Sequence, residues 1–192
     1  MDSNELPAFF HEIFDPSLPR LNPGDEASTL RALNMFRSAG SGSQRQTALG
    51  FRRILDLGCG CGGQTLALAR YTKGAILALD NHQAYLDELR RRAEAAGLSG
   101  RIQTVLKDMR TLTTDDGPFD LIWSEGALFV VGFREGLTFC HSLLTPGGGL
   151  ARISHSYSID RGFGACKVAG QSGQAGADRK RPCYESGSGP VE

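Results

Sequence analysis

The chain has no excess of charge of either sign: 21 Lys and Arg are matched by 21 Asp and Glu. A surface without a basic stripe is not built to follow a phosphate backbone or an anionic bilayer, so neither nucleic acid nor a membrane is an expected partner. Long hydrophobic runs are missing too. None approaches the roughly 20 apolar residues that a membrane-spanning helix needs, and the opening Met1-Asp2-Ser3-Asn4-Glu5 lacks the basic and apolar segments of a secretory signal. Cysteines are few and unframed. Cys59, Cys61, Cys140, Cys166 and Cys183 are odd in number and irregular in spacing, unlike those of a disulfide-stapled secreted domain. Reduced thiols in the cytoplasm are the expectation. Cys59 and Cys61 have no further Cys or His nearby to complete a zinc ligand set, so no metal site is expected.

Leucine is missing from one region only. It occurs 23 times in residues 1–150 and never in 151–192, where 7 of the 25 glycines fall. Residues 156–192 are therefore expected to be irregular, either as a disordered tail or as the replacement of a native ending.

The 192 residues suffice for one domain with a hydrophobic core. Phe9, Phe10, Ile13 and Phe14 share one face of a short helix over 7–14, which stops at Asp15-Pro16. Leu30, Leu33, Met35 and Phe36 recur at helical spacing over 25–38, and a polar linker follows over 40–46. Residues 1–46 thus read as a helical lid and linker. Beyond them, strands at 54–57, 75–79, 102–106, 119–123 and 150–154 alternate with helical segments at 64–71, 83–96 and 134–144, with a turn at Pro146-Gly147-Gly148-Gly149. That order predicts an α/β domain over 47–155: a doubly wound, mostly parallel sheet with helices on both faces.

The strongest chemical signal is Ile54-Leu55-Asp56-Leu57-Gly58-Cys59-Gly60-Cys61-Gly62-Gly63, a buried strand entering a glycine turn and then a helix. Glycines let the backbone approach a ligand across the turn, where a Cβ would intrude. Gly58, Gly60 and Gly63 satisfy the dinucleotide spacing G-x-G-x-x-G, so on spacing alone a nicotinamide or flavin enzyme stays open. Asp56 separates the readings, because a carboxylate two positions before the first glycine repels a pyrophosphate and suits a ligand ammonium group. Asp80, 22 positions after Gly58, suits ribose hydroxyls in either reading.

With Asp56, Gly58, Gly60 and Gly62 in an acid-x-G-x-G-x-G pattern, residues 50–150 resemble the class I S-adenosylmethionine-dependent methyltransferases. The resemblance implies S-adenosylmethionine as cofactor. It further implies that Asp80 accepts the ribose hydroxyls with Asn81 beside it, that Asp108 takes the adenine amino group, that Met109 lines the ring, and that Ser124 is a further cofactor contact. The strand Phe119-Asp120-Leu121-Ile122 and the turn Leu144-Thr145-Pro146-Gly147-Gly148 look like the small-molecule branch of that family, implying a small-molecule methyl acceptor. Ser124-Glu125-Gly126 stands where a nucleic-acid-type N-P-P-Y loop would be. Leu18-Pro19-Arg20 with Pro23-Gly24 resembles a lid, which makes Arg20 a candidate partner for the cofactor carboxylate. Glu125, read as just past the carboxyl end of a central strand, is the candidate catalytic residue, placed to contact the acceptor or the cofactor's amino group. Family members finish with two further strands, one antiparallel. No apolar alternation in 151–192 supplies both, so the carboxyl-terminal strands are expected to be missing or replaced. Two other readings stay open at this point: a cofactor-binding but catalytically impaired methyltransferase, and an NAD-type oxidoreductase.

Overall fold

Strands covered on both faces carry apolar residues in succession, and β1 (Arg53–Leu57) does so: Ile54, Leu55 and Leu57 are fully buried. The computed structural model describes residues 14–38, 50–154 and 164–169. After α1 (Glu26–Ser38) come β1, α2 (Gly63–Tyr71), β2 (Ala75–Asp80), α3 (Gln83–Ala95), β3 (Ile102–Leu106), β4 (Phe119–Glu125), α4 (Phe133–Ser142), β5 (Leu144–Ser154) and β6 (Gly164–Ala169). The sheet order is β3-β2-β1-β4-β5-β6, parallel throughout except for β6, which runs antiparallel to β5. This is the doubly wound sheet expected from the sequence.

Alternate residues along each strand face opposite layers. On one face Ile54, Ile76, Leu121 and Trp123 pack with Leu33 of α1 and Leu68 of α2, while Ala78 meets Leu86 and Leu89 of α3. On the other, Leu55, Ile122 and Leu150 pack with Cys140 of α4 and Leu143. Helix ends follow local chemistry. The Asp25 carboxylate accepts from the Ser28 N–H at 2.7 Å while the Ser28 hydroxyl accepts from the Asp25 N–H at 2.9 Å, a reciprocal cap that starts α1. Gly97, at φ +67°, lets the Gly97 and Leu98 N–H groups return to Glu94 and Ala93 at the end of α3.

Three features depart from the sequence expectation. The expected turn at 146–149 lies inside β5 as an irregularity: pairing with β4 jumps from Phe119↔Leu144 to Leu121↔Gly149, so 145–148 loop out of register where proline has no N–H to give and Gly147 sits at φ +83°. The strand expected over 119–123 runs two residues further, so Ser124 and Glu125 belong to β4 and pair with Arg152 and Ile153. The segment 156–192, read as irregular, contributes β6, whose six residues pair antiparallel with Gly149 to Ser154. The expectation of missing or replaced terminal strands is corrected to that extent, since one antiparallel strand flanks β5. Its backbone satisfies the N–H and C=O groups of the β5 edge, which needs no leucine. The linker at 40–46 and the helix expected over 7–14, Phe14 apart, lie outside the described residues. Among those described, no helix is long and apolar enough to cross a membrane.

Candidate functional site

Open parallel sheets bind ligands beyond the carboxyl ends of their strands, where the strand order reverses. Here the reversal falls between β1 and β4, and a cavity of about 840 Å³ lies there, lined by the glycine turn, Asp80 and the loop after β4. The turn is anchored by the Gly58 and Cys59 N–H groups, both donating to the Leu79 carbonyl at 2.9 Å. Glycine is required at two of its positions. A Cβ on Gly58, at φ +74°, would stand 2.3 Å from the Ala127 Cβ, and one on Gly62, at φ +87°, would stand 2.2 Å from the Leu89 Cδ1.

Asp80 closes β2 at the cavity wall. Its Oδ2 accepts from the Gly60 N–H at 2.8 Å and its Oδ1 from the His82 N–H at 3.0 Å, so strand end and glycine turn are held as one unit. Burial pushes the Asp80 pKa up, against the opposing effect of these backbone donors. Asn81 lines the wall beside it. Asp108 and Met109 line the same cavity from the end of β3. The Asp108 carboxylate caps the short 3₁₀ turn Met109–Thr111 and takes the Arg110 guanidinium in a two-pronged contact, which holds its pKa at about 2.

The structure therefore brings Gly58, Gly60, Asp80, Asn81, Asp108 and Met109 to one cavity, with Glu125 at its wall. Gly62, Asp56, Ser124 and Arg20 do not line it. Asp56 is fully buried beneath the turn, where it accepts from the Thr65 hydroxyl at 2.5 Å and from Gln64 Nε2 at 3.4 Å; the same Gln64 nitrogen reaches the Cys59 carbonyl at 3.1 Å. Burial raises its pKa to about 7, partly offset by the Thr65 hydrogen bond and reinforced by the charge of Glu125. Ser124 donates to the Leu57 carbonyl at 3.1 Å, tying β4 to β1.

Glu125 is the most heavily engaged carboxylate of the site. It is 3% exposed, and its oxygens accept from Arg20 Nη1 at 2.5 Å, Thr29 Oγ1 at 2.8 Å, Trp123 Nε1 at 2.9 Å and Asn22 Nδ2 at 3.5 Å. Asn22 also donates to the Glu125 carbonyl at 3.1 Å, and Arg20 donates to the Thr29 hydroxyl at 2.9 Å. A carboxylate can be buried at a strand end only with such a set of donors. Arg20, expected at the cofactor carboxylate, is placed on Glu125 instead. The two form a buried latch that draws the amino-terminal segment onto β4, with Leu21 closing over Gly60. A second grip comes from Arg92 on α3, whose guanidinium donates to the Pro16, Ser17, Leu18 and Pro19 carbonyls at 2.7–3.1 Å while Glu88 balances its charge. Nothing in the sequence marks Thr29, Trp123 or Arg92 for these tasks. They act across 75 or so to 96 residues of chain in the case of Arg92 and Thr29, and Trp123 reads only as an apolar strand residue. Among the described residues, no cluster of three or more His, Cys, Asp or Glu could hold a metal ion.

Fold and site together define a doubly wound α/β domain whose glycine turn and strand-end acids line one cavity at the strand-order reversal. Residues 54–148 match the methyltransferase domain family, and that stretch is a class I S-adenosylmethionine-dependent methyltransferase domain. Similar proteins include the sterol 24-C-methyltransferase of Neurospora crassa, 31% identical over 50% of this chain and 26% of that one. The dimethylglycine N-methyltransferase of Parasynechococcus marenigrum is 32% identical over 50% of this chain and 34% of its own. A crystal structure of a methyltransferase from Thiobacillus denitrificans, in complex with S-adenosyl-L-homocysteine, superposes with a TM-score of 0.60 at 25% identity, covering 78% of this chain and 56% of that one. The chain thus spans well under two thirds of each of these relatives.

Proposed function

We propose that this chain transfers the methyl group of S-adenosylmethionine to a small-molecule acceptor held in the same cavity. The observation that carries this reading is the Gly60 N–H to Asp80 hydrogen bond at 2.8 Å, which sets a bare backbone turn and a ribose-type acid side by side on one cavity at the strand-order reversal. A nucleoside fits such a cradle, where any Cβ on Gly58 would collide with Ala127. In this reading Gly58 and Gly60 give their backbone surface to the cofactor, Asp80 and Asn81 hold the ribose, and Asp108 and Met109 receive the adenine. Gly62, Asp56 and Ser124 act from beneath by fixing the shape of the turn.

The bound cofactor supplies a methyl group that is already electrophilic on its sulfonium. What the residues of this chain contribute is alignment of an acceptor atom and exclusion of water. Glu125 serves here as a positioning residue, with Arg20 as its partner: by fixing the lid it decides how closely the amino-terminal segment covers the cofactor. The acceptors of the relatives, a sterol and dimethylglycine, support a small molecule over a macromolecule. Free, buried Cys59, Cys61 and Cys140 support a reducing compartment, and we place the chain in the cytoplasm.

Thermal unfolding with added S-adenosylhomocysteine, NAD or NADP tests the proposal. A ligand that binds only the folded state, present at about 100 times its dissociation constant, adds roughly 2.7 kcal/mol. A rise in midpoint with S-adenosylhomocysteine alone is expected, and a rise with NAD alone would overturn the reading.

A further inference from the structure

The cavity differs in character along the sheet. Toward β2 and β3 it carries Asp80, Asn81 and Asp108; toward β4 and β5 it carries Ala127, Leu128, Phe129, Val130 and Ile153. Phe129 and Val130 are 68% and 55% exposed, and of the large apolar side chains exposed among the described residues they alone line this cavity. Their exposure is built into the fold. The neighbouring Leu128 is 1% exposed and packs against Gly136 of α4, where a Cβ would stand 2.9 Å from its Cγ. That anchors the 3₁₀ turn Leu128–Val131, which holds Phe129 and Val130 in place. Keeping two adjacent apolar side chains in water is unfavourable, and the cost is recovered only when something apolar covers them.

The charged groups that β4 and β5 bring to the cavity are occupied by this chain itself: Glu125 is taken by Arg20, Thr29 and Trp123, and Arg152 is likewise engaged. Among the described residues, no such group is left at the β4–β5 end to select an ionic acceptor. We propose that this end of the cavity is the acceptor subsite and that it takes a hydrocarbon-rich molecule, aliphatic or aromatic, whose body packs on Phe129 and Val130 while its nucleophilic atom faces the cofactor. The inference rests on the methyltransferase reading and adds the acceptor class to it.

Calorimetric titration of a series of straight-chain 1-alkanols, from butanol to decanol, into the protein saturated with S-adenosylhomocysteine tests it. Each buried methylene strengthens binding by up to about fourfold, so we expect at least a twofold gain per carbon. Phe129→Ser and Val130→Ser, both at exposed positions that the fold does not need, should each weaken decanol at least fivefold and leave S-adenosylhomocysteine affinity within twofold. A flat alkanol series, a steep series indifferent to both substitutions, or displacement of S-adenosylhomocysteine by decanol would each refute the subsite with the cofactor reading intact. Failure of S-adenosylhomocysteine to bind at all would refute the parent reading and this one with it.

Discussion

Replacing Glu125 by Ala deletes the carboxylate on which Arg20, Thr29, Trp123 and Asn22 converge and leaves the Arg20 guanidinium buried without a counter-charge. Their side chains are only 1% and 8% exposed, so solvent can do little to compensate. Breaking a buried pair from one side costs about 3–5 kcal/mol, and that range is expected for Glu125→Ala. Arg20→Ala is milder, because Thr29, Trp123 and Asn22 still serve the carboxylate; losing one charge-assisted hydrogen bond costs about 1.5–3 kcal/mol. With Arg20 already gone, removing Glu125 no longer strands a cation, so the double variant should cost less than the two single ones added together. The coupling should lie within about 1–3 kcal/mol. Glu125→Gln offers no escape, since its amide NH₂ would face a ring of donors. Urea unfolding of the four proteins at pH 7 reads the cycle directly. Additivity to within about 0.5 kcal/mol would refute the latch and return Glu125 to the list of residues free to meet a ligand.

Two further perturbations probe the turn. Gly58→Ala meets both a left-handed backbone and the Ala127 Cβ 2.3 Å away, and should cost about 2–4 kcal/mol, whereas Gly97→Ala, at φ +67° with nothing within 4 Å, should cost only about 1–2 kcal/mol in urea unfolding. Equal costs would mean that close approach at Gly58 is not what selects glycine. Asp56, raised from 3.8 to about 7 in the fold, holds a proton that the unfolded chain releases, so its contribution is fully favourable below pH 3.8 and is lost as pH rises toward 7. At about 1.4 kcal/mol per pKa unit the loss across that window is ~4 kcal/mol. Asp56→Asn removes the titration, so the variant should gain on the parent between pH 4 and pH 8, and parallel stability profiles would contradict the account.

Much of this architecture is legible in the sequence because it depends on local pattern. The succession of apolar residues in 54–57 and the glycine turn each state their structure within a few residues, and Asp80, Asp108 and Met109 fall at strand ends that periodicity locates. What the sequence conceals is long-range. Asp56 reads as a ligand-facing acid because it precedes the turn, yet strand alternation points it under the turn to Thr65 and Gln64. Arg20 and Glu125 read as two separate ligand contacts because 105 residues part them, and only the folded chain shows them as each other's partner. The strand Gly164–Ala169 escapes a reading based on leucine and alternation because an edge strand can be held chiefly by backbone pairing.

The central claim is that the cavity beside the glycine turn is a nucleoside site held by Asp80. Calorimetric titration of S-adenosylhomocysteine into the parent protein and into Asp80→Ala tests it most directly. Charge-assisted hydrogen bonds to a ribose are worth about 1.5–3 kcal/mol each, so the account predicts at least a tenfold loss of affinity in an Asp80→Ala protein that remains folded. Equal affinity in the two folded proteins would contradict it.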